Sequence, residues 1–141
     1  MDPRGIRNNN PGNIDFLSQP YAVKEPRTFQ VPRPRFAKFD TMDHGLQALA
    51  KQIQLYFSRG INTTAKIIHT WAPPTENHTG DYADFVAGKM GVPVNAVISC
   101  DVPTVSKLAM AISTYECGNN LPFTIADVQK NVAVALGDTL V

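Results

Sequence analysis

Residues 103–120 read Pro-Thr-Val-Ser-Lys-Leu-Ala-Met-Ala-Ile-Ser-Thr-Tyr-Glu-Cys-Gly-Asn-Asn. Val105, Leu108, Ala109 and Ile112 recur at helical spacing and define one apolar face. Pro103 or Thr104 opens this helix, which ends near Cys117 with Gly118 at C′. Tyr115-Glu116-Cys117-Gly118-Asn119-Asn120 thus puts a carboxylate in the last turn of an apolar helix. The C-terminal end of the helix dipole is negative, which penalises a carboxylate there by about 0.3–1 kcal/mol. Partial burial beside Tyr115 and Phe123 adds a desolvation penalty of the same sign. Both raise a carboxyl pKa, as a general acid working near neutral pH requires. On spacing alone, a solvated glutamate that merely happens to end a helix is the better-supported reading.

The same helical period extends on both sides. Leu46, Leu49, Ala50, Ile53, Tyr56 and Phe57 form one face of an earlier helix, with Asp40 or Thr41 as N-cap and Gly60 past its end. A second helix runs from about Thr63 to Trp71, where Pro73-Pro74 stops it. A third runs from about Thr79 to Met90, points Tyr82, Phe85 and Val86 inward and closes at Gly91, with Asn77 and Thr79 as capping residues. After the Glu116 helix, a fifth runs from Thr124 through Ile125, Val128, Val132 and Leu136 to Gly137. Residues 1–40 differ, with seven basic residues, four acidic residues and six of the eleven prolines. Asn8-Asn9-Asn10-Pro11-Gly12-Asn13 is turn chemistry. Thr28-Phe29-Gln30-Val31 and Phe36-Ala37-Lys38-Phe39 alternate around Pro32-Arg33-Pro34, which predicts a small hairpin. The expected fold is mainly α (α+β), one domain over residues 1–141 with a small β-hairpin near its start.

The chain has 141 residues, 43% hydrophobic and 18% charged, enough for one ordinary core. Its net charge of +1 removes the simple case for a nucleic-acid binder. No stretch approaches the roughly 18 apolar residues of a membrane span. The start, Met1-Asp2-Pro3-Arg4-Gly5, lacks an apolar h-region, so synthesis and folding in a cytoplasm are expected. Cys100 and Cys117 flank a helix of about 14 residues, which holds its ends roughly 20 Å apart. A disulfide spans only about 4–7 Å between Cα atoms, so two free thiols are expected. Of twelve acids only Glu25, Glu76 and Glu116 are glutamates. Glu25, beside Pro26, reads as the least constrained, and Glu76 lies in a loop after Pro74, as a second carboxylate or simply exposed.

Glu116-Cys117-Gly118-Asn119-Asn120-Leu121-Pro122 is similar to the catalytic-helix ending of lysozyme-like lytic transglycosylases and glucosaminidases, roughly Glu-Ser-Gly-x-Asn-Pro. Cys117 replaces the usual Ser and Leu121 is inserted. The run Arg4-Gly5-Ile6-Arg7-Asn8-Asn9-Asn10-Pro11-Gly12-Asn13-Ile14 resembles the opening of small phage virion proteins and related lysozyme-like peptidoglycan hydrolases. Phe39-x-Thr41-x-x-x-Gly45 with Tyr56, and Trp71-Ala72-Pro73-Pro74-x-Glu76-Asn77-x-Thr79 with Tyr82, fit the same family. In ordinary glucosaminidases the Glu helix precedes the Asn-rich segment. Here the order is reversed, which a circular permutation reconciles. The resemblance implies cleavage of peptidoglycan glycan strands by a muramidase, lytic transglycosylase or glucosaminidase, with Glu116 as general acid. It also implies a sugar groove with Asn8, Asn10, Asn13, Arg7, Tyr82 and Asn119 as candidate substrate-binding residues. Amides suit this, since they both donate to and accept from sugar hydroxyls. The same asparagines also read as structural turns, Arg7 as a surface residue and Tyr82 as core. No metal or organic cofactor is implied. The expected place of action is the periplasmic cell wall, after delivery by a phage particle, a holin or a toxin-secretion machine; a secreted toxin would also have an inhibitory immunity protein as partner.

Other chemistries fit less well. A thiolate is favoured at a helix N-terminus, whereas Cys117 sits at a C-terminus, and His44, His69 and His78 all precede it. Those histidines lack the i, i+4 spacing of a zinc site. The remaining alternative is a non-catalytic phage virion or structural protein with a lysozyme-like fold.

Overall fold

A computed structural model describes residues 2–75 and 77–137. Glu76, one of the three glutamates, lies outside them. The described residues form six helices and one antiparallel two-stranded sheet: α1 (Arg4–Arg7), β1 (Ala22–Lys24), β2 (Ala37–Phe39), α2 (Met42–Ser58), α3 (Thr64–Trp71), α4 (Thr79–Met90), α5 (Val102–Cys117) and α6 (Ile125–Leu136). This is the mainly α architecture with a small hairpin that the periodicity predicts.

Local chemistry sets the helix ends. Thr41 caps α2 by accepting from the His44 N–H, and Thr63 caps α3 through the Lys66 N–H. Asp101 caps α5 through the Thr104 N–H, so α5 begins slightly before Pro103. Thr124 and Asp127 form a reciprocal capping box on α6. α4 departs from expectation: His78 occupies the cap without a side-chain bond. Thr79 instead donates to the Ala72 carbonyl and Asn77 to the Pro73 carbonyl, so both close the preceding loop.

The hairpin also differs. Thr28–Val31 is a closed turn rather than a strand: the Thr28 and Val31 backbones bond each other, and Thr28 Oγ1 accepts from the Val31 N–H. Phe29 at its tip is 97% exposed. β1 is instead Ala22–Lys24, paired in the register Ala22↔Phe39, Val23↔Lys38 and Lys24↔Ala37. Short alternation between prolines fits a turn as well as a strand, and the flanking prolines supply no ladder donors.

The buried side chains form one cluster, in which Leu46, Leu49, Ile53, Ile67, Ile68, Tyr82, Val86, Leu108, Ile112, Val128 and Val132 are fully enclosed. α5 runs through it, packed against α4, α6 and α2, while α1 rests on α5 and β2 on α2. α5 therefore carries Glu116 out of the core to the junction with the Asn-rich segment. Among the described residues no helix is long and apolar enough to cross a membrane.

Candidate functional site

The Asn-rich run is a scaffold whose side chains are mostly spent internally. Asn10 is fully buried; its amide nitrogen donates to the Ile14 and Ala37 carbonyls and its oxygen accepts from the Ile14 N–H. Asn9 donates to the Phe39 carbonyl. Its own carbonyl lies where a Cβ on Gly45 would stand, so Gly45 is what lets the run dock on α2. Gly12 plays the same part beneath the Trp71 ring.

Glu25 is the anchor of this scaffold, not the least constrained glutamate. It is 4% exposed. Its carboxylate accepts from Arg4 Nε at 2.8 Å and Nη2 at 2.6 Å, from Asn8 Nδ2 at 3.1 Å, and from the Arg35 and Phe36 N–H groups at 3.1 and 2.7 Å. Burial alone would raise its pKa, but these donors, Arg4 foremost, outweigh it and hold the carboxyl at about 2. Neighbouring Pro26 concealed this, because all five donors are remote in sequence or on the backbone.

Glu116 ends α5 at the wall of a groove of about 410 Å³. It is lined by residues 12–15 and Leu17, by Arg35 and Phe36, and by Gln52 and Tyr56 of α2. Thr70 through Pro73 and Asn77 complete the lining. Asn13 Nδ2 donates to Glu116 Oε1 at 3.1 Å across 103 residues of sequence. Burial pushes the Glu116 pKa up; the Asn13 amide and the neighbouring Tyr82 hydroxyl pull against it without cancelling it. The Tyr82 hydroxyl is buried without a well-formed hydrogen bond, and its ring stacks on Tyr115 at 3.7 Å. Desolvation, reinforced by the Glu116 charge, holds that phenol neutral.

Of the expected binding residues, the structure brings Asn13 to Glu116 and into the groove. Asn8 and Asn10 are withdrawn from it, because their amides are committed to Glu25 and to backbone carbonyls. Tyr82 lies under the carboxyl instead of lining the groove, since α4 turns it wholly into the core. Arg7 is exposed and donates to the Asp2 carbonyl, and Asn119 is exposed beyond the Gly118 cap; neither reaches the groove.

No family model matches the chain. It is 36% identical over 128 residues to Protein P5 of Pseudoalteromonas phage PM2, covering 90% of this chain and 78% of that protein. The chain belongs to the Protein P5 family. This ties it to bacteriophages.

In this member of the Protein P5 family, the groove also contains residues that the sequence reading did not name as binding or catalytic. Asp15 lies on its wall, paired with Arg35 Nε at 2.7 Å. Gln52 and Tyr56 stand i, i+4 on α2, a spacing that put Tyr56 with the core. Trp71, at the end of α3, packs edge-on against Tyr56 at 6.3 Å and supplies an aromatic wall. Its place at a predicted helix end, in the motif Trp71-Ala72-Pro73-Pro74, was the available signal.

Cys100 is exposed and Cys117 buried, and neither forms a disulfide. Cys117 Sγ donates to the Pro11 carbonyl at 3.5 Å. Burial, with the Glu116 charge beside it, pushes its pKa up to about 11. At pH 8 a thiol reagent should therefore modify Cys100 rapidly in the folded protein and Cys117 only after denaturation. Thiol counting with and without urea checks this; rapid labelling of both would contradict the geometry.

Proposed function

We propose that the groove binds a glycan strand of bacterial peptidoglycan and that Glu116 protonates the glycosidic oxygen. The observation that carries this reading is the half-buried Glu116 carboxyl, with its raised pKa, set in a groove of amides, hydroxyls and aromatic rings. As the C–O bond breaks, its electron pair goes to the leaving oxygen, which takes the Glu116 proton. The positive sugar centre is then captured by water, by the substrate N-acetyl group, or by the sugar's own hydroxyl to give an anhydro product. Trp71 and Tyr56 offer apolar surface to sugar faces, while Gln52, Thr70 and Asn77 offer hydrogen bonds. Among the described residues Asp15, paired with Arg35, is a second carboxylate on the groove and in this reading directs an attacking water.

The chain is accordingly read as a lysozyme-like hydrolase with permuted motif order. Contact of the segment around Asn13 with the end of α5 supports this, since permutation requires those two motifs to meet. Its phage relative supports delivery with a virion to the periplasmic cell wall, and an inhibitory immunity protein would act by filling this groove. The second reading is a virion component with a lysozyme-like fold and no catalysis, with which a phage relative is equally compatible.

Incubation of the purified protein with peptidoglycan, followed by mass analysis of the soluble products, tests the proposal. Reducing-end muramic acid, reducing-end glucosamine and anhydromuramic acid each identify one type of glycan cleavage. Free peptide stems would point to an amidase or peptidase, and no release would favour the structural role.

A further inference from the structure

Asn13 is placed with unusual care. Its backbone is left-handed at φ +52°, a region that asparagine tolerates better than most residues. The Asn13 N–H bonds the Asn10 carbonyl at 3.0 Å, and Asn10 clamps Ile14 on the other side. Gly5 clears the space behind: a Cβ there would stand 2.6 Å from Cys117 Sγ and 3.1 Å from Asn13 Oδ1. Asn13 Oδ1 is nevertheless buried without a hydrogen-bond partner. A buried unpaired acceptor is costly. The amide accepts that cost in an orientation whose other end, Nδ2, meets Glu116 Oε1 at 3.1 Å.

We propose that Asn13 is the positioning residue for Glu116, its amide N–H receiving the negative charge left on the carboxyl when the proton departs. The catalytic part of this rests on the glycan-cleaving reading; the pairing of the two side chains does not. A neutral donor suits the task. A lysine or arginine here would keep the carboxyl ionised at neutral pH, and an aspartate would oppose ionisation. The amide holds the carboxyl oxygen in place and eases proton release while leaving burial in control. The run from Arg4 to Ile14 thereby acquires a purpose beyond turn chemistry: Gly5 and Asn10 hold one donor against the acid.

The test is carboxyl NMR on protein labelled in glutamate, where only three side chains respond. In the wild type, the Asn13 side-chain amide resonances should titrate with the Glu116 carboxyl midpoint, and this should vanish in Glu116→Gln. In Asn13→Asp, which keeps the shape and tolerates the left-handed backbone, the Glu116 midpoint should rise by about one pH unit or more as two carboxyls share the site. Asn13 resonances that ignore Glu116 titration, or a folded Asn13→Asp with an unchanged midpoint, would overturn the proposal. Glycan release measured alongside separates the two claims. A shifted midpoint without any glycan release by the wild type leaves Asn13 paired and removes only the enzymatic reading.

Discussion

Glu116→Gln should abolish glycan release while leaving the protein at least as stable as the wild type. Loss of a general acid costs roughly 10²–10⁴-fold in rate. The stability side follows from the sign of the pKa shift. The folded-state value lies above the ordinary one, so ionising Glu116 in the folded protein is penalised, and stability falls as pH rises through that range. Gln removes the penalty, keeps the volume and can still meet Asn13. Lost activity combined with unreduced stability is the pattern of a residue kept for function at a cost to the fold. Urea melts of the two proteins at pH 7, beside their rates of release, give both numbers. A variant that loses activity only because it unfolds would make Glu116 a structural residue.

Glu25→Gln should do the opposite. The Glu25 pKa is lowered from 4.5 to about 2, so the group contributes stability above its unfolded value. That contribution is lost as pH falls through the window from about 4.5 to about 2. The size of the shift corresponds to about 3 kcal/mol. Removing one partner of a buried ion pair costs about 3–5 kcal/mol. Arg4 is partly exposed and can regain water, which favours the lower end. Gln would also set an amide N–H against donors that all point inward. The expected result is a urea midpoint well below wild type at pH 7, with the gap closing as pH approaches 2. A gap that does not change with pH would contradict the assignment of the stabilisation to the ionised carboxylate.

These two glutamates show what the sequence could and could not reveal. Helix positions were legible because apolar period, N-caps and terminal glycines agree: Thr41 with Gly60, Thr63 with Trp71, and Thr124 with Gly137 fall at the observed ends. Glu116 was legible for the same reason, as a charge at the wrong end of an apolar helix. Thr28–Val31 was misread because a four-residue alternation fits a turn and a strand equally. Glu25 was misread, and Asn10 was left open between groove and turn, because their roles depend on partners across the chain, such as the Ala37 carbonyl for Asn10. The same limit hid Asp15, Gln52 and Thr70, which become neighbours only when α2, α3 and the N-terminal segment close around one groove.

The central claim is that Glu116 and its groove cleave the glycan strand. It is tested most directly by offering peptidoglycan sacculi to wild type and Glu116→Gln side by side and weighing the soluble products. Glycan fragments with cleaved sugar–sugar bonds are expected from the wild type and essentially none from the variant. Equal release by both, or no release by a folded wild type, would contradict it.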